Sequence, residues 1–346
     1  MTAVCVLAYQ RIATHPPASV ALDYHPNRYS GKQWPSHVAR TIEGLQAPYR
    51  LTALPSRVDG VSYVYVADRD AGSVAVINTK TDTIVNTVAC GSAGPPVAVA
   101  PSQRGDEVLV GMAGATGGGL GLIEPLATWR PVSLAVSAQC LTFSRHDVFI
   151  FDCASCQLLC LPRIALAAGA APRAAGLDLG DQCLDMALTP DEEHLFVGLR
   201  DSRRVGLLRV ASLSDPKALA SGGPGITQGC SVPGQPCGLA MDSIGTRLFV
   251  SLLDGGVACL DLQHGAVSEI ATGAGQPGCR WMAMTPRGEY LYVADYADGS
   301  VAVIDVARQR AVDLISVGKG PSDVAVTLDY KVYVANTDEG TVSVIE

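Results

Sequence analysis

Residues 290–305 read YLYVADYADGSVAVID, two apolar runs separated by a turn that contains Asp-Gly. Alternating or continuous apolar runs of five or six residues, bounded by turn residues, indicate β-strands rather than helix. An Asp-Gly turn between two such runs predicts a hairpin. A further apolar run at residues 282–284 precedes this hairpin, so the sequence predicts three consecutive antiparallel strands between residues 282 and 305.

The same template recurs along the chain. Residues 331–345, KVYVANTDEGTVSVI, repeat both runs and the turn, and weaker copies occur upstream. The first strands of the seven copies are predicted to begin at residues 51, 97, 141, 186, 239, 282 and 324. Successive starts therefore differ by 46, 44, 45, 53, 43 and 42 residues. A period of about 40–45 residues with four strands per repeat is typical of a β-propeller, and seven repeats predict seven blades.

Three strings in the second predicted strands, at residues 64–68, 292–295 and 333–336, resemble the YVTN-type repeat of seven-bladed β-propellers. The resemblance covers roughly residues 48–346 and implies an all-β propeller fold. It implies little about activity, because propellers carry many unrelated functions.

The last repeat stops at Glu346 after its third strand, which would leave an unpaired edge. Residues 3–8 alternate like a strand, so we expect them to supply the outermost strand of the last blade. Residues 1–346 then form one propeller domain. Residues 10–47 become an insertion over the mouth of the central channel, since loops of this length are often lids or binding segments. The alternative is a surface loop that wraps the closing blade.

The net charge and the residue composition limit which binding partners and which cellular compartment can be expected. The net charge of −8 gives no general electrostatic support for binding nucleic acid or an anionic membrane. No transmembrane span and no signal peptide are recognised, so a cytoplasmic location is expected, with most of the eleven cysteines free.

Three common catalytic or cofactor motifs are absent from the sequence: the phosphate-binding P-loop, the G-x-S-x-G elbow and the H-E-x-x-H zinc motif. No cofactor and no metal site are predicted, a divalent cation has no motif to support it, and the oligomeric state is open.

Residues at the start of the inner strands of a propeller surround one mouth of the channel, the usual ligand site of the architecture. The charged and aromatic residues at or beside these positions are Tyr49, Arg50, Asp185, Arg280, Trp281 and Asp323. We expect Arg50 and Arg280 to hold an anionic or electron-rich group. Asp185 or Asp323 would act as a general base. The alternative interpretation is a set of ion pairs between blades.

The predicted insertion is expected to complete this site. His25 and His37 would assist proton transfer, and Tyr24 and Trp34 would add apolar walls to those of Tyr49 and Trp281.

The cysteines offer two weaker hypotheses. Cys153, Cys156 and Cys160 form a C-x-x-C-x-x-x-C cluster, but two predicted strands flank its first turn and no second ligand pair lies nearby in sequence. Packing and turn roles are therefore favoured there. Cys279 adjoins Arg280, which makes it the candidate for a thiolate nucleophile.

Two functions remain open from the sequence. The first is a small-molecule enzyme of cyclase, lyase, isomerase or lactone-hydrolase type, using acid–base chemistry at the mouth without a redox cofactor. The second is a non-catalytic scaffold that binds a protein or a small ligand. The polar residues at the mouth and the insertion favour the enzyme, whereas the lack of a strong catalytic motif favours the scaffold.

Overall fold

The computed structural model of the protein describes residues 34–55, 61–102, 107–114, 118–124, 128–167, 175–215, 226 and 228–346. Within these ranges the chain forms 28 β-strands, which pair into seven four-stranded antiparallel sheets. The first strands of successive sheets contact one another in a closed cycle, and the first strand of the seventh sheet contacts that of the first. These strands are therefore the inner strands around a central channel. The predicted seven-bladed β-propeller is confirmed.

Blades 1 to 3 take their strands in chain order, from the channel outwards. Blade 1 consists of β2 (Pro48–Pro55), β3 (Ser62–Asp68), β4 (Ser73–Asn78) and β5 (Thr83–Ala89). Blade 2 consists of β6 (Pro96–Pro101), β7 (Val108–Met112), β8 (Gly119–Glu124) and β9 (Thr128–Val132). Blade 3 consists of β10 (Ala138–Phe143), β11 (Asp147–Asp152), β12 (Gln157–Pro162) and β13 (Ala175–Asp178), with helix α1 (Arg163–Ala167) after β12.

Blades 4 to 6 follow the same order. Blade 4 consists of β14 (Cys183–Leu188), β15 (His194–Leu199), β16 (Arg204–Arg209) and β17 (Gln228–Ser231), with helix α2 (Val210–Leu213) after β16. Blade 5 consists of β18 (Pro236–Met241), β19 (Arg247–Leu252), β20 (Val257–Asp261) and β21 (Ala266–Ile270). Blade 6 consists of β22 (Cys279–Met284), β23 (Tyr290–Asp295), β24 (Ser300–Asp305) and β25 (Arg310–Ser316).

Blade 7 is assembled from both ends of the described chain. It consists of β26 (Pro321–Val326), β27 (Val332–Asn336), β28 (Thr341–Ile345) and, as its outer strand, β1 (Val38–Ile42). β1 runs antiparallel to β28, with Ile42 opposite Val342 and Arg40 opposite Val344. The expectation that residues 3–8 fill this place is wrong, because β1 occupies it; residues 3–8 themselves lie outside the described part of the chain.

This assignment also changes the predicted insertion at 10–47. Residues 38–42 belong to blade 7, and only residues 43–47 separate them from β2. The described part of the stretch is thus a strand with short flanking segments, and residues 10–33 lie outside the described ranges.

The core lies between neighbouring blades, where the tyrosine of the repeated second strand occupies the gap to the next blade. Tyr65 packs with Val108 of blade 2, and Tyr333 packs with Val66 of blade 1; both rings are buried. The fourth strands are instead mostly exposed or partly buried, with a single buried residue in β5 and in β21. Burial of the second and third strands on both faces explains why these runs are nearly continuous in apolar residues, while the outer strands need only one apolar face.

No helix among the described residues is both long and apolar enough to cross a membrane.

Candidate functional site

Every inner strand contains a register shift of the β-bulge kind within its first four residues, for example between Pro321 and Asp323 in β26. A bulge bends a strand and changes the direction of the side chain beside it. The third residues of the inner strands, around the channel in chain order, are Arg50, Ala98, Cys140, Asp185, Gly238, Trp281 and Asp323. Three of these side chains, from blades 1, 4 and 7, meet at one point.

Arg50 makes the contact that defines the site. Its Nε lies 3.1 Å from Oδ2 of Asp323 in the neighbouring blade 7. Its Nη2 lies 3.6 Å from Oδ1 of Asp185 in blade 4. Blades 1 and 4 are not neighbours in the ring, so the Arg50 side chain crosses the central channel to reach Asp185.

Backbone groups fix the two carboxylates. Asp323 accepts hydrogen bonds from the N–H groups of Leu51 (3.0 Å, to Oδ2) and Val324 (2.9 Å, to Oδ1). Asp185 accepts one from the N–H of Leu239 (2.9 Å) in blade 5. Each aspartate therefore joins its own blade to the next, and both are presented to Arg50 in a fixed orientation.

Aromatic rings line the side of the site formed by blades 1 and 6. The Arg50 guanidinium carbon lies 4.3 Å from the centroid of the Trp281 ring, and Trp281 meets Tyr49 edge to face at 5.3 Å. Both distances are within the ranges of cation–π and aromatic contacts. Gly238 of the neighbouring blade 5 leaves room for the backbone at Trp281, because a Cβ at Gly238 would lie 3.0 Å from the Trp281 Cα.

We call Tyr49, Arg50, Asp185, Arg280, Trp281 and Asp323 the mouth cluster. The structure brings all six together at the channel end where the inner strands begin, as the sequence analysis expected for their positions. Side-chain exposures are 14% for Arg50, 15% for Asp185 and 5% for Asp323, so the first two retain limited contact with solvent.

Burial shifts the acidities in the cluster. Burial raises the pKa of Asp323 to about 6, with Arg50 and two backbone N–H groups opposing the shift. Burial likewise raises the pKa of Asp185, again against the influence of Arg50. For Arg50, burial alone would lower the pKa, but the Asp323 and Asp185 carboxylates raise it above its ordinary value. Arg50 therefore stays charged, whereas Asp323 can gain or lose a proton close to neutral pH.

Three buried donor atoms in the mouth cluster have neither a hydrogen bond nor an ion pair among the described residues: Nη1 of Arg50, Nε of Arg280 and Nε1 of Trp281. A fourth, Nε of Arg50, also lacks a hydrogen bond but is ion-paired with Asp323. Buried polar atoms are normally paired with protein or ordered water. These three donors, next to a channel mouth at which Arg50 is 14% exposed, can therefore serve an acceptor group that enters from solvent.

Three further residues beside the cluster, Arg69, Tyr296 and Asp338, lie in loops that the sequence predicts on the mouth face, but they are not among the predicted site residues. The Arg280 guanidinium lies over the Tyr296 ring at 4.9 Å, and the Arg69 guanidinium lies 5.5 Å from the centroid of Tyr49. The Tyr296 hydroxyl donates to Asp338 at 2.5 Å, joining blades 6 and 7. Arg69, Tyr296 and Asp338 come from loops between the second and third strands of their blades. The repeat places these loops on the face of the channel mouth.

The candidates from the predicted insertion do not join the cluster. Trp34 packs on Tyr290 at 5.2 Å and donates to Asp313, at the end of blade 6 opposite Trp281. His37 is exposed, and its backbone pairs with that of Glu346 at the end of β28. Their expected places at the mouth are therefore wrong. Tyr24 and His25 lie outside the described residues.

The cysteines are free thiols at all ten described positions. Burial raises the pKa of Cys279 to about 12, and the adjacent Asp295 carboxylate, its hydrogen-bond partner at 3.7 Å, contributes to this. Arg280 is not among the groups that lower it, so the expected thiolate at Cys279 is not supported. Cys153 donates to Ser137 while Cys156 accepts from Gln182, so these two thiols of the C-x-x-C-x-x-x-C cluster have separate partners.

No protein-family model and no curated protein matches this sequence. Many solved structures share its fold. One is a hydrazine synthase of Kuenenia stuttgartiensis, with a TM-score of 0.72 and 16% identity over 87% of this chain and 96% of that one. A streptogramin B lyase gives a TM-score of 0.70 and 12% identity, covering 87% of this chain and 93% of that one. The WD40 propeller domain of Doa1 gives 0.68 and 14%, covering 90% and 96%. At such identities the likeness establishes the seven-bladed propeller fold alone.

Proposed function

We propose that this chain binds a small polar molecule at the channel mouth and catalyses a non-redox, acid–base reaction on it, of lyase, isomerase, cyclase or lactone-hydrolase type. The observation that carries the proposal is the meeting of a buried carboxyl group, whose pKa is about 6, with unpaired donors of Arg50, Arg280 and Trp281. A group with a pKa near the working pH is effective in proton transfer. Donors fixed in a site of low dielectric stabilise negative charge that develops on a carbonyl or carboxylate.

The residues divide these roles. Arg50 and Arg280 hold the acceptor group of the ligand, while Trp281 and Tyr49 cover its apolar part and exclude water. Asp323 takes the proton, because it is held by two backbone N–H groups and its ionisation lies near neutrality. Asp185 holds Arg50 from the far side of the channel and is the second candidate for the base.

The fold is compatible with this chemistry, since proteins named as a hydrazine synthase and a streptogramin B lyase are built on it. That support is an analogy between folds and names no substrate for this chain. We further propose that the repeats are of the YVTN type and that the protein acts in the cytoplasm.

One observation favours a second candidate, a non-catalytic scaffold. The ion pairs of Arg50 link blades 1, 4 and 7, and each aspartate also bonds to a neighbouring blade. A cluster with this geometry stabilises the ring whether or not a ligand binds, and the loops around it could then bind a protein.

The test separates the two candidates. Purified protein is incubated with a metabolite extract, and bound and converted compounds are identified by mass spectrometry. Arg280→Ala removes an unpaired donor without breaking the Arg50 ion pairs, so we expect a folded protein with at least tenfold weaker binding. Asp323→Asn should bind but lose turnover, and the wild-type rate should rise with pH through about 6.

Arg308→Ala is the matched control, because that arginine is 70% exposed on the opposite face of blade 6. It should leave binding and turnover unchanged. If no compound binds, or if Arg280→Ala and Arg308→Ala behave alike while folded, the enzyme proposal fails and the scaffold is supported.

A further inference from the structure

Two cysteines from neighbouring blades meet beside the mouth cluster. Cys140 is the third residue of β10 in blade 3, and Cys183 is the first residue of β14 in blade 4. Their Sγ atoms lie 3.9 Å apart, and the two residues are only 1% and 0% exposed. Two thiols more than 40 positions apart in the sequence are thus in van der Waals contact across the seam between two blades.

The two sulfur atoms are near enough for a disulfide to form after a limited movement. A disulfide has an S–S distance of about 2.05 Å, so the sulfur atoms must approach by roughly 2 Å. Side-chain rotation can supply much of this movement. The backbone can supply the rest, because the pairing of both β10 and β14 is interrupted at these cysteines by register shifts. Cys140 is paired with Phe151 and Cys183 with Leu199, but the ladder is irregular on one side of each cysteine.

We propose that Cys140 and Cys183 are a redox-active pair, whose disulfide links blade 3 to blade 4 next to Arg50 and Asp185. The oxidant is a low-molecular-weight disulfide such as oxidised glutathione. One cysteine thiolate attacks a glutathione sulfur and displaces one glutathione thiolate, giving a mixed disulfide. The second cysteine thiolate attacks the protein sulfur of that mixed disulfide and displaces the second glutathione thiolate. Two electrons pass to glutathione, and the two thiol protons go to solvent and then to the released thiolates.

The structure also indicates how fast this exchange is. Burial and the neighbouring thiol raise the pKa of Cys140 well above its ordinary value, so little thiolate is present in the closed ring. Because the thiolate is the reactive form, exchange in the folded protein requires transient opening of the seam and is slow. Once formed, the bond is protected from reductants by the same burial.

Oxidation would reach the mouth cluster directly. The Cys183 thiol donates to the carbonyl oxygen of Asp185 at 3.2 Å, and Cys140 interacts electrostatically with Arg50 and Asp185. A disulfide removes the Cys183 donor and pulls the two strands together. The position of Asp185 against Arg50 therefore depends on the state of the pair.

The test uses the full chain in glutathione buffers of graded ratio, incubated until the thiol count is constant. Free thiols are then alkylated and the peptides are mapped by mass spectrometry. We expect a peptide containing the Cys140–Cys183 bond under oxidising conditions, its loss under reducing conditions, and a Tm higher by about 5 °C for the oxidised form. Cys183→Ser should abolish the Tm rise, whereas Cys153→Ser, which alters a cysteine outside the pair, should keep it.

Peptide mapping of the wild-type chain shows whether the Cys140–Cys183 disulfide forms, even if a variant fails to fold. Recovery of both thiols as alkylated peptides at every glutathione ratio would overturn the proposal. A disulfide that joins either cysteine mainly to another partner would overturn it as well.

Discussion

Arg50 carries one positive charge between two aspartates that are both shielded from water. The ion pairs at 3.1 and 3.6 Å stabilise both carboxylates, yet burial still raises both of their pKa values. Desolvation therefore outweighs the attraction to a single guanidinium that two carboxylates share. The site retains a carboxyl group that is easily protonated, and this has measurable consequences for stability.

The first prediction concerns the pH dependence of folding. The pKa of Asp323 rises from 3.8 to about 6 on folding, so the folded protein binds this proton more tightly than the unfolded chain does. The resulting stabilisation is complete below about pH 4. It is lost as the pH rises to about 6, where the free energy of unfolding is lower by on the order of 3 kcal/mol. In Asp323→Asn the part of this decline that Asp323 contributes should be absent, while the part from Asp185, whose pKa burial also raises, remains.

Urea unfolding of both proteins between pH 4 and 8 measures the effect. Asn keeps one acceptor for the backbone N–H groups, so the variant should fold. Other acidic groups whose pKa is lowered, such as Asp181 and Asp305, titrate in the same way in both proteins and cancel in the difference. Parallel pH profiles for the two proteins would contradict the assignment of the raised pKa to Asp323.

The second prediction concerns Arg50 itself. In Arg50→Ala, both aspartates lose their countercharge, and removing one partner of a buried ion pair costs about 3–5 kcal/mol. The carboxyl groups can relieve this by taking up protons, so the loss should be smaller at pH 5 than at pH 8. Chemical denaturation at the two pH values provides the measurement.

Arg69→Ala is the control for that experiment. Arg69 is 39% exposed and pairs with the exposed Asp70, a contact worth about 1 kcal/mol or less. Equal losses for the two variants, or a loss for Arg50→Ala that does not change with pH, would show that the channel ion pairs add little.

At the level of single residues, the sequence predicts the members of the mouth cluster but not the ion pairs that join them. The repeat period located Arg50, Asp185, Trp281 and Asp323 at equivalent positions of different blades. Periodicity cannot reveal that Arg50 is long enough to cross the channel, because that depends on the channel diameter and on bulges without a sequence marker. The predictions for His37 and Trp34 fail because their segment enters β1 at the end of blade 7 opposite the mouth.

The elements of the fold follow from local patterns, with one exception. The inner three strands of each blade are marked by apolar runs bounded by turn residues, and the structure places strands there. The closing strand β1 reads VARTI, with Ile42 buried but three of its residues exposed. An outer strand covers the sheet with one face only, so it needs few apolar residues and its pattern is weak. Residues 3–8 show a stronger strand-like alternation than β1, and the pattern therefore favours them as the outer strand of blade 7, although β1 occupies that position.

The third prediction tests β1 by nested truncation. A chain that begins at residue 34 keeps the pairing of β1 with β28 and should retain the circular dichroism spectrum and cooperative unfolding of the full chain. A chain that begins at residue 44 exposes the edge of β28 and loses the buried Ile42 side chain. We expect it to aggregate or to melt more than about 10 °C lower, since open strand edges promote association.

Size-exclusion chromatography and thermal melts of the three lengths provide the comparison. Equal melting temperatures for the chains beginning at residues 34 and 44 would contradict the role of β1 in closing the ring.

The whole ring depends on the seam between blades 7 and 1. Neighbouring blades elsewhere are joined by a covalent connection from an outer strand to the next inner strand. At this seam the connection, residues 43–47, leaves from β1, which no chain connection joins to β28 and which pairing with β28 and burial of Ile42 hold in blade 7. Further contacts cross the seam near the mouth, where the hydroxyl of Ser322 donates to the Tyr49 carbonyl and that of Thr337 donates to the Pro48 carbonyl.

A second set of contacts closes the seam at the opposite face. Asp82, in the turn between β4 and β5 of blade 1, accepts hydrogen bonds from Lys331 Nζ at 2.8 Å and from the Tyr333 hydroxyl at 2.5 Å. Lys331 also pairs with Glu346, the last residue of the chain, at 2.8 Å. The side chains of Asp82 and Lys331 are only 12% and 18% exposed, so this pair is better shielded than an ordinary surface ion pair.

The last prediction is that Asp82→Asn weakens ring closure. Asp82 has a φ of 50°, a conformation that asparagine tolerates well, so the substitution removes charge with little backbone strain. Lys331 and Tyr333 then lose their shared carboxylate, and we expect the free energy of unfolding to fall by about 2 kcal/mol. Asp70→Asn, at a 59% exposed aspartate of the same blade, should change it by less than about 0.5 kcal/mol. A double-mutant cycle with Lys331→Met isolates the pair, because the effect of Asp82→Asn should shrink once the lysine is gone. If the two substitutions are additive, or if Asp82→Asn is as mild as Asp70→Asn, the seam is held by β1 and the mouth contacts without help from Asp82.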